Sequence, residues 1–248
     1  MSKPRIVFTT EDGSEVSPEE LTTVDGKFHY DLVSDQEIPV EAQDLHEKGR
    51  IAGQEEDYDR ALGLFSQARE LAPDWPFPVY DTAFTYLLMK DNTAAAEQYE
   101  QVDRMAPWGF FIARTAADSL RREHEAIIEE GAYLALVLLE AEPPSEEKFK
   151  GLVELIRTSP AFPAAWSELA SALEAPDDRM QAVEQGLQHD PDSQTRETLL
   201  LSKAIVFSGQ GHKQAAVEIL KKLVGDPGTT LGNLAVAQVV LAGLEKET

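Results

Sequence analysis

The chain has 248 residues, and 42% of them are hydrophobic, which is enough for a folded core and argues against global disorder. Its 45 acidic and 22 basic residues give a formal net charge of −23, which argues against nucleic acid or an anionic membrane as the main partner because both need a basic surface. No cysteine is present, so disulfide-stapled scaffolds, thiolate metal sites and cysteine nucleophiles are excluded.

The apolar segments of the chain are short. The nearest to a membrane span, 132–139, falls far below the roughly 20 residues that a membrane-spanning helix needs. Only a few apolar residues precede Thr9, so we expect no signal peptide. These patterns predict a cytoplasmic protein that has no membrane partner.

Residues 1–41 differ in kind from the rest of the chain. Segments 5–10 and 27–33 are rich in β-branched and aromatic residues, and turn signals such as Asp25-Gly26 lie between them, which predicts a two-stranded ribbon. Ser17-Pro18-Glu19-Glu20 has the pattern of a capping box and predicts a short helical turn. Because such a ribbon is marginal alone, we expect it to pack against the first helices. A partly disordered acidic tail is the alternative.

Helical periodicity begins near Glu41 and predicts two helix pairs over 42–107. The first pair covers about 41–53 and 58–71, and the second covers about 77–89 and 93–105. Seven positions in the two pairs match in residue type at one fixed offset, the interval that separates Pro73 from Pro107. These are Leu45 and Val79, Gly49 and Ala83, Ala52 and Tyr86, Ala61 and Ala95, Phe65 and Tyr99, Ala68 and Val102, and Pro73 and Pro107.

The matching positions have a physical reason. Small residues such as Gly49 and Ala61 fall where two helices of a pair cross, and they permit an interaxial approach of roughly 8–10 Å. The large residue Phe65 fills the groove beside the next pair. Pro73 ends the second helix because proline lacks an N–H and clashes with the preceding turn. A single pair cannot bury its apolar face alone, so neighbouring pairs must stack.

This pattern of paired helices, with a period of about 34 residues, resembles the tetratricopeptide repeat (TPR) family. The resemblance is strong over 42–107, moderate over about 162–227 and weak over 108–161. It implies an all-α fold, a right-handed α-α superhelical solenoid of about five TPR-like helix pairs, with the short N-terminal β-ribbon as an extension. It also implies a non-catalytic scaffold that binds a partner protein or peptide in a concave groove.

The register of the repeat changes after Pro107. The next equivalent proline, Pro160, comes later than one further period would place it, so the third unit is expanded. Helices are expected there over about 110–123, 131–139 and 146–158. The predicted organisation is therefore an N-terminal extension over 1–41, two regular repeats over 42–107, an expanded irregular repeat over 108–161, and two further repeats with a capping helix over 162–248. We expect that capping helix over about 230–244, with a polar end that faces solvent.

The search for catalytic and metal-binding motifs is negative. His124-Glu125 lacks the second histidine of a zinc-protease motif. Gly209-Gln210-Gly211 lacks the preceding strand and the third glycine of a dinucleotide-binding loop. No phosphate-binding loop or nucleophile elbow is present in the sequence. The sequence therefore predicts no enzyme, no cofactor and no metal site.

In TPR proteins the first helix of each pair lines the concave groove, and the resemblance gives that role to 41–53 and 77–89. The second of these segments carries an apolar stripe at helical spacing, formed by Phe77, Tyr80, Phe84 and Leu87. His46 and Arg50 in the first segment and Arg114 in the third repeat add a basic edge. We predict that these seven residues bind a protein or peptide partner of basic or apolar character.

Three alternatives stay open at this point. The N-terminal ribbon or the expanded third repeat would cover the apolar stripe if either packed against it. The chain would be a structural or assembly subunit if it self-associated or stacked on another subunit. A ligand-binding or enzymatic site in 108–160 would need converging polar groups that the sequence does not reveal.

Overall fold

The computed structural model describes residues 3–24 and 26–246, which form two compact units. The first unit contains Asp35–Ala141 and Thr158–Pro160, and the second contains Lys3–Ser34, Glu142–Arg157 and 161–246. The described residues form twelve α-helices and one small sheet, so the predicted all-α fold of TPR-like helix pairs with an N-terminal β-ribbon is confirmed. The predicted repeat boundaries at 41, 107 and 161 stay predictions.

The first unit consists mainly of six helices, each packed against the next one along the chain. The helices are α1 (Val40–Gln54), α2 (Tyr58–Leu71), α3 (Pro76–Leu88), α4 (Asn92–Met105), α5 (Ala113–His124) and α6 (Ala132–Ala141). α1 also packs against α3, so successive pairs stack through their first helices. The bounds of α1 to α4 agree with the sequence prediction to within one residue, because the helical period of their buried residues is strong.

The first two helix pairs repeat each other down to the backbone of their turns. Glu56 and Lys90, which stand at equivalent positions of the two repeats, both have φ 62°. The next residues cap the second helices: Asp57 accepts a hydrogen bond from the backbone N–H of Arg60, and Asp91 accepts one from that of Ala94. The repeat period therefore governs backbone conformation as well as residue type.

Gly49 marks the closest approach within the first pair. A Cβ atom added there would lie 2.5 Å from Cε1 of Phe65, which is inside the contact distance of real Cβ atoms. Phe65 itself is buried in a cluster with Ala52 and Ala61. A very small residue is therefore favoured at this crossing, as the sequence pattern predicts.

The second unit contains the sheet and the remaining helices. These helices are α7 (Glu146–Thr158), α8 (Pro163–Ala172), α9 (Pro176–Gln188), α10 (Ser193–Gly209), α11 (Lys213–Gly225) and α12 (Leu231–Lys246). The last residue of α7, Thr158, is assigned to the first unit. The strands are β1 (Arg5–Thr10), β2 (Glu15–Val16) and β3 (Phe28–Val33). The sheet is antiparallel in the order β2-β1-β3, with Phe8 opposite both Val16 and Tyr30. The two predicted strands are present, and the short β2 was not predicted.

The sheet packs against α12 of its own unit, a contact that the sequence did not predict. Phe8 and Leu21 are fully buried in one cluster with Ala235 and Ala242 of α12. At the end of the helix, the Lys246 ammonium donates a hydrogen bond to the carbonyl oxygen of Val24. The ammonium also lies 5.5 Å from the centre of the Phe28 ring.

The reason for this placement is that α12 is apolar around its whole circumference. Ala237 and Leu244 pack into the cluster formed by α10 and α11. The opposite side of the helix would face water without the sheet, and burial of that side stabilises the unit. The helix was expected to end in polar residues that face solvent, but Lys246 contacts the N-terminal segment. Glu247-Thr248, and Asp25 of the predicted turn, lie outside the described residues.

Within the described part of the chain, no helix is both long enough and apolar enough to cross a bilayer.

Candidate binding surface

Five aromatic side chains of the first unit meet at its surface, and we call them the aromatic patch. They are Trp75, Phe77, Tyr80, Phe110 and Phe111. Three of them come from the start of α3, and the other two come from the connection between α4 and α5. The side chain of Phe77 is 37% exposed and that of Phe111 is 57% exposed, whereas the other three are half-buried.

The rings of the patch contact one another mainly edge to face. The centres of the Phe77 and Phe110 rings lie 4.9 Å apart at 90°, and those of Phe110 and Phe111 lie 4.8 Å apart at 79°. Tyr80 lies 5.0 Å from Phe111. These are favourable aromatic geometries, and each such pair is worth about 0.5–1.5 kcal/mol beyond its buried area. The patch is therefore a rigid surface whose rings hold one another in place.

The connection that carries Phe110 and Phe111 has an unusual backbone. Gly109 has φ +91°. Phe111 has φ +45°, in a backbone region that residues other than glycine rarely adopt. The cost of such a conformation is on the order of 1 kcal/mol. The protein thus holds its more exposed ring in a strained conformation. The sequence had predicted that this helix begins at Phe110. The backbone of the connection explains why α5 begins at Ala113 instead.

Arg114 fastens this connection to α4. Its guanidinium lies 2.8 Å from Oδ1 of Asp103 and donates a hydrogen bond of 2.9 Å to the carbonyl oxygen of Pro107. Most of the side chain is buried by these contacts. Arg114 was predicted to contact a partner, and that stays a prediction; in the structure it joins Asp103 of α4 to the backbone of Pro107.

His46 and Arg50 were predicted to form a basic edge. His46 is only 7% exposed, and its Nε2 is hydrogen-bonded to Oδ2 of Asp81 at 2.7 Å. The centre of its ring lies 4.8 Å from that of the Trp75 ring, so His46 packs against the aromatic patch. Arg50 is half-exposed, and its Nε lies 3.9 Å from the same carboxylate oxygen. His46 is therefore buried beside Asp81, whereas Arg50 keeps about half of its side chain exposed, and the basic edge stays a prediction.

The remaining two predicted residues lie further along α3. Leu87 is 1% exposed and belongs to the core, so it cannot contact a partner. Phe84 is half-buried, and among the described residues its ring contacts none of the patch rings. The structure thus brings Phe77 and Tyr80 together and separates Phe84 and Leu87 from them.

Sequence reasoning did not select Phe110 and Phe111. The available signal was the segment Trp108-Gly109-Phe110-Phe111, which places a glycine beside two aromatic residues immediately after Pro107. Because a helix was predicted to begin at Phe110, this segment was not recognised as a connection that carries exposed rings. The alternative in which the expanded third repeat covers the apolar stripe holds in part, because these two rings lie against Phe77 and Tyr80.

Two carboxylates influence the patch. Burial raises the pKa of the Tyr80 hydroxyl, and the negative charges of Asp81 and Glu140 raise it further. Asp81 is a quarter exposed, and Glu140 is an exposed residue of α6.

A cavity of about 470 Å³ lies between α4 and α5, near the end of α5. Its wall includes the buried Glu123, whose carboxylate accepts hydrogen bonds from Asn92 and from the backbone N–H groups of Gly131 and Tyr133. The last two N–H groups belong to the start of α6. The partners of Glu123 show that it caps this helix, which gives it a structural role.

Comparisons with known proteins match this architecture at low similarity. No family model matches the chain, and neither does any curated protein. The chain is similar to the solved structure of MamA from Desulfovibrio magneticus RS-1, at 13% identity and a TM-score of 0.37, over 75% of this chain and 94% of that one. It is also similar to the TPR protein TTC0263 from Thermus thermophilus, at 17% identity and a TM-score of 0.34, over 81% and 99%.

A third similar structure is that of YrrB, a TPR protein with an unusual peptide-binding site. It is 12% identical with a TM-score of 0.35, over 79% of this chain and 89% of that one. The fold itself follows from the stacked helix pairs and the regular interval at which they recur. The chain therefore has a fold of TPR-like helix pairs.

Proposed function

We propose that this protein is a non-catalytic interaction scaffold that binds a peptide segment of a partner protein on the aromatic patch of its first unit. The observation that supports this proposal best is Phe111, a ring that is 57% exposed on a backbone with positive φ. Conformational strain of this kind is concentrated at functional sites. More than half of this ring remains exposed beside its contacts with the other rings, and that part would contribute to binding.

The arrangement of the patch suits a binding hot spot. Aromatic residues each bury about 150–250 Å² in an interface, and they lose little side-chain entropy because they have few rotatable bonds. The ring contacts and the fastening by Arg114 reduce that loss further, since the surface is already ordered before binding. Phe77, Tyr80 and Phe111 are the proposed contacts, and Arg50 and Phe84 extend the surface along α1 and α3.

A library of random peptides of about twelve residues tests this function, because a segment of that length spans a groove of this kind. The full chain and its Phe111→Asn variant are used to select peptides in parallel. Asparagine tolerates positive φ, so this variant removes the ring without adding strain. The matched control is Leu138→Asn, since Leu138 is also 57% exposed and lies outside the patch.

We expect wild type and Leu138→Asn to enrich the same peptides and Phe111→Asn to lose them. A second pair repeats the test with Phe77→Ala and Phe149→Ala, because both phenylalanines are 37% exposed and only Phe77 belongs to the patch. The proposal is wrong if the peptides bound by Phe111→Asn and Phe77→Ala are the same as those bound by wild type. Helical circular dichroism checks that each variant is folded.

An assembly subunit is the competing function. Sedimentation of the full chain separates the two functions: a dimer that persists on dilution and that Phe111→Asn dissociates would assign the patch to self-association. A wild-type monomer supports the peptide-binding proposal.

A further inference from the structure

We propose that two copies of this protein associate through strand β3, which pairs antiparallel with β3 of the second copy and joins the two sheets into one. The contact belongs to the second unit, so it goes beyond the proposed function, which concerns the aromatic patch of the first unit. Three observations support it: β3 has an open edge, it lacks the features that normally prevent pairing, and its sequence is complementary to itself.

The strand β3 lies at an edge of the sheet. The strand order is β2-β1-β3, and within the described part of the chain β1 is the only strand that pairs with β3. In an antiparallel pair the backbone groups of alternate residues point to opposite sides, so half of those of β3 point away from β1. Among the described residues, no turn, loop or helix supplies a backbone partner for them. The four residues 29–32 are all exposed, so another strand can reach these groups.

The usual protections of an edge strand are missing from β3. Such strands normally carry lysine or proline, or a bulge that twists the edge away. The sequence of β3, FHYDLV, contains neither residue type, and its residues pair one to one with those of β1 without a bulge. The opposite edge is different, because β2 has only two residues. Pairing at β3 therefore closes at two copies and does not continue into a fibre.

Two-fold symmetry restricts the register of this contact. A residue whose backbone groups point to the second copy must meet one that does the same, so the symmetry axis passes between two copies of one residue. An axis at Tyr30 places Phe28 opposite Leu32 and His29 opposite Asp31, each twice. The first is an apolar pair, and the second joins a hydrogen-bond donor to a carboxylate.

The neighbouring registers are less favourable. An axis at Asp31 places two like charges directly opposite each other, which is destabilising. An axis at His29 leaves the last residues of each strand beyond the start of the other, so fewer residues pair. The axis at Tyr30 is therefore the register in which the whole centre of the strand is complementary to itself.

The charge of the chain opposes association only at long range. Two copies with a net charge of −23 repel each other, but at about 0.15 M salt interactions beyond about 8 Å are largely screened. The contact should thus strengthen as salt rises from about 50 to about 300 mM. A single pair of short strands buries less surface than a permanent interface, so we expect a dissociation constant on the order of 10–100 µM.

Sedimentation equilibrium of the full chain measures this association. We expect a monomer at about 1 µM and mostly dimer at about 300 µM, in about 0.15 M salt. Phe111→Asn should give the same result as wild type, which separates this dimer from one formed through the aromatic patch. The proposed peptide binding concerns the species present at low concentration, so the two proposals are tested independently.

Cysteine crosslinking tests the register. The chain has no cysteine, so one introduced thiol reports only contact between copies. Tyr30→Cys places the thiol on the axis, where opposite Cβ atoms are about 4.5–5.5 Å apart, and oxidised glutathione should join the copies. Leu32→Cys is the matched control, because the two side chains are 39% and 42% exposed. Its two copies lie about 13 Å apart along the strand, beyond the reach of a disulfide. Non-reducing gel electrophoresis should show at least about tenfold more dimer for Tyr30→Cys.

Paired charge variants test whether the contact joins two copies. Asp31→Lys places a lysine opposite His29, and His29→Glu places a glutamate opposite Asp31, so each variant alone should associate at least about tenfold more weakly than wild type. In a mixture of the two, the introduced lysine meets the introduced glutamate and the native pair forms on the other side of the axis. Association should then return to within about threefold of wild type.

The control for net charge is Glu15→Lys. Glu15 is exposed on β2, at the opposite edge of the sheet, and this variant changes the charge of the chain as much as Asp31→Lys does. It should dimerise at least as well as wild type, because it reduces the long-range repulsion and leaves β3 unchanged. Helical circular dichroism checks that every variant is folded.

The inference is overturned if the full chain stays monomeric up to about 300 µM, or if Tyr30→Cys and Leu32→Cys crosslink equally. It is also overturned if the mixed charge variants associate no better than either one alone, or if Phe111→Asn dissociates the dimer. None of the first three results affects the proposed function, because the peptide selection depends on the aromatic patch and not on β3.

Discussion

The two units differ in how far the apolar surface of one helix is covered. In the second unit, the N-terminal sheet covers the outer side of α12, and Phe8 and Leu21 are fully buried against it. In the first unit, the aromatic side chains at the start of α3 are only partly covered by Phe110 and Phe111, and Phe111 itself is largely exposed. Covering apolar surface is the ordinary solution, so a ring left exposed on a strained backbone is the difference on which the proposed function rests.

The two units also share a structural feature at the start of one helix. A buried glutamate caps the start of a later helix in each: Glu123 caps α6, and Glu197 accepts hydrogen bonds from the backbone N–H and hydroxyl of Thr230 just before α12. An asparagine donates to each glutamate, Asn92 to the first and Asn233 to the second. The units therefore differ in their surface and resemble each other in how the chain enters those helices.

Loss of the sheet–helix contact is expected to have the largest effect. Phe8→Ala removes a fully buried ring and should lower the free energy of unfolding by about 3–5 kcal/mol. Leu32→Ala is the control, because Leu32 of β3 is 42% exposed and its truncation should cost under about 1 kcal/mol. Urea denaturation gives both values, and amide hydrogen exchange should show weaker protection in α12 for Phe8→Ala. Equal costs for the two variants would contradict the burial of Phe8 against α12.

Overpacking at the helix crossing of the first unit should have the next largest effect. Gly49→Ala drives a Cβ atom to 2.5 Å from the Phe65 ring and should cost about 1–3 kcal/mol of stability. Gly63→Ala is the matched control, since an added Cβ on α2 meets nothing within 4 Å and should stabilise the helix by about 0.5–1 kcal/mol. Thermal unfolding measures both, and a stabilising Gly49→Ala would show that this crossing is not close.

The two capping glutamates sharpen the comparison between units. All the hydrogen bonds to Glu197 end on Oε2, so a glutamine can keep them by placing its carbonyl oxygen there. Both oxygens of Glu123 accept hydrogen bonds, so a glutamine must turn its NH₂ group towards an N–H donor. We expect Glu123→Gln to cost about 1–3 kcal/mol and Glu197→Gln less than about 1 kcal/mol, as measured by urea denaturation. The reverse order would be incompatible with these hydrogen bonds.

Relief of strain at Phe111 should have the smallest effect on stability. Phe111→Gly and Phe111→Ala both remove the ring, and only glycine relaxes a φ of +45°. The glycine variant should therefore be more stable than the alanine variant by about 1 kcal/mol, while neither binds the peptides selected by wild type. Equal melting temperatures for the two variants would show that the conformation carries no strain.

Much of the fold could be predicted because its signals are local. The helical period and the prolines located α1 to α4 to within one residue, and the repeated small residues predicted the crossing at Gly49. The aromatic patch was less accessible to prediction. The stripe predicted on one helix includes Phe77 and Tyr80 of the patch, but Leu87 of the same stripe is buried, because periodicity does not distinguish a face that meets solvent from one that meets another helix.

The sequence by itself determined the repeated helix pairs and the positions where they cross, since residue size, proline and helical period act over a few neighbouring residues. Tertiary structure alone decided that the N-terminal sheet covers α12, at the far end of the chain, as the contact between Lys246 and Val24 illustrates. It also decided which carboxylates pair with His46 and Arg114, Asp81 with the first and Asp103 with the second. Contacts between distant residues depend on which apolar surfaces remain uncovered after the local structure has formed, and no short segment contains that information.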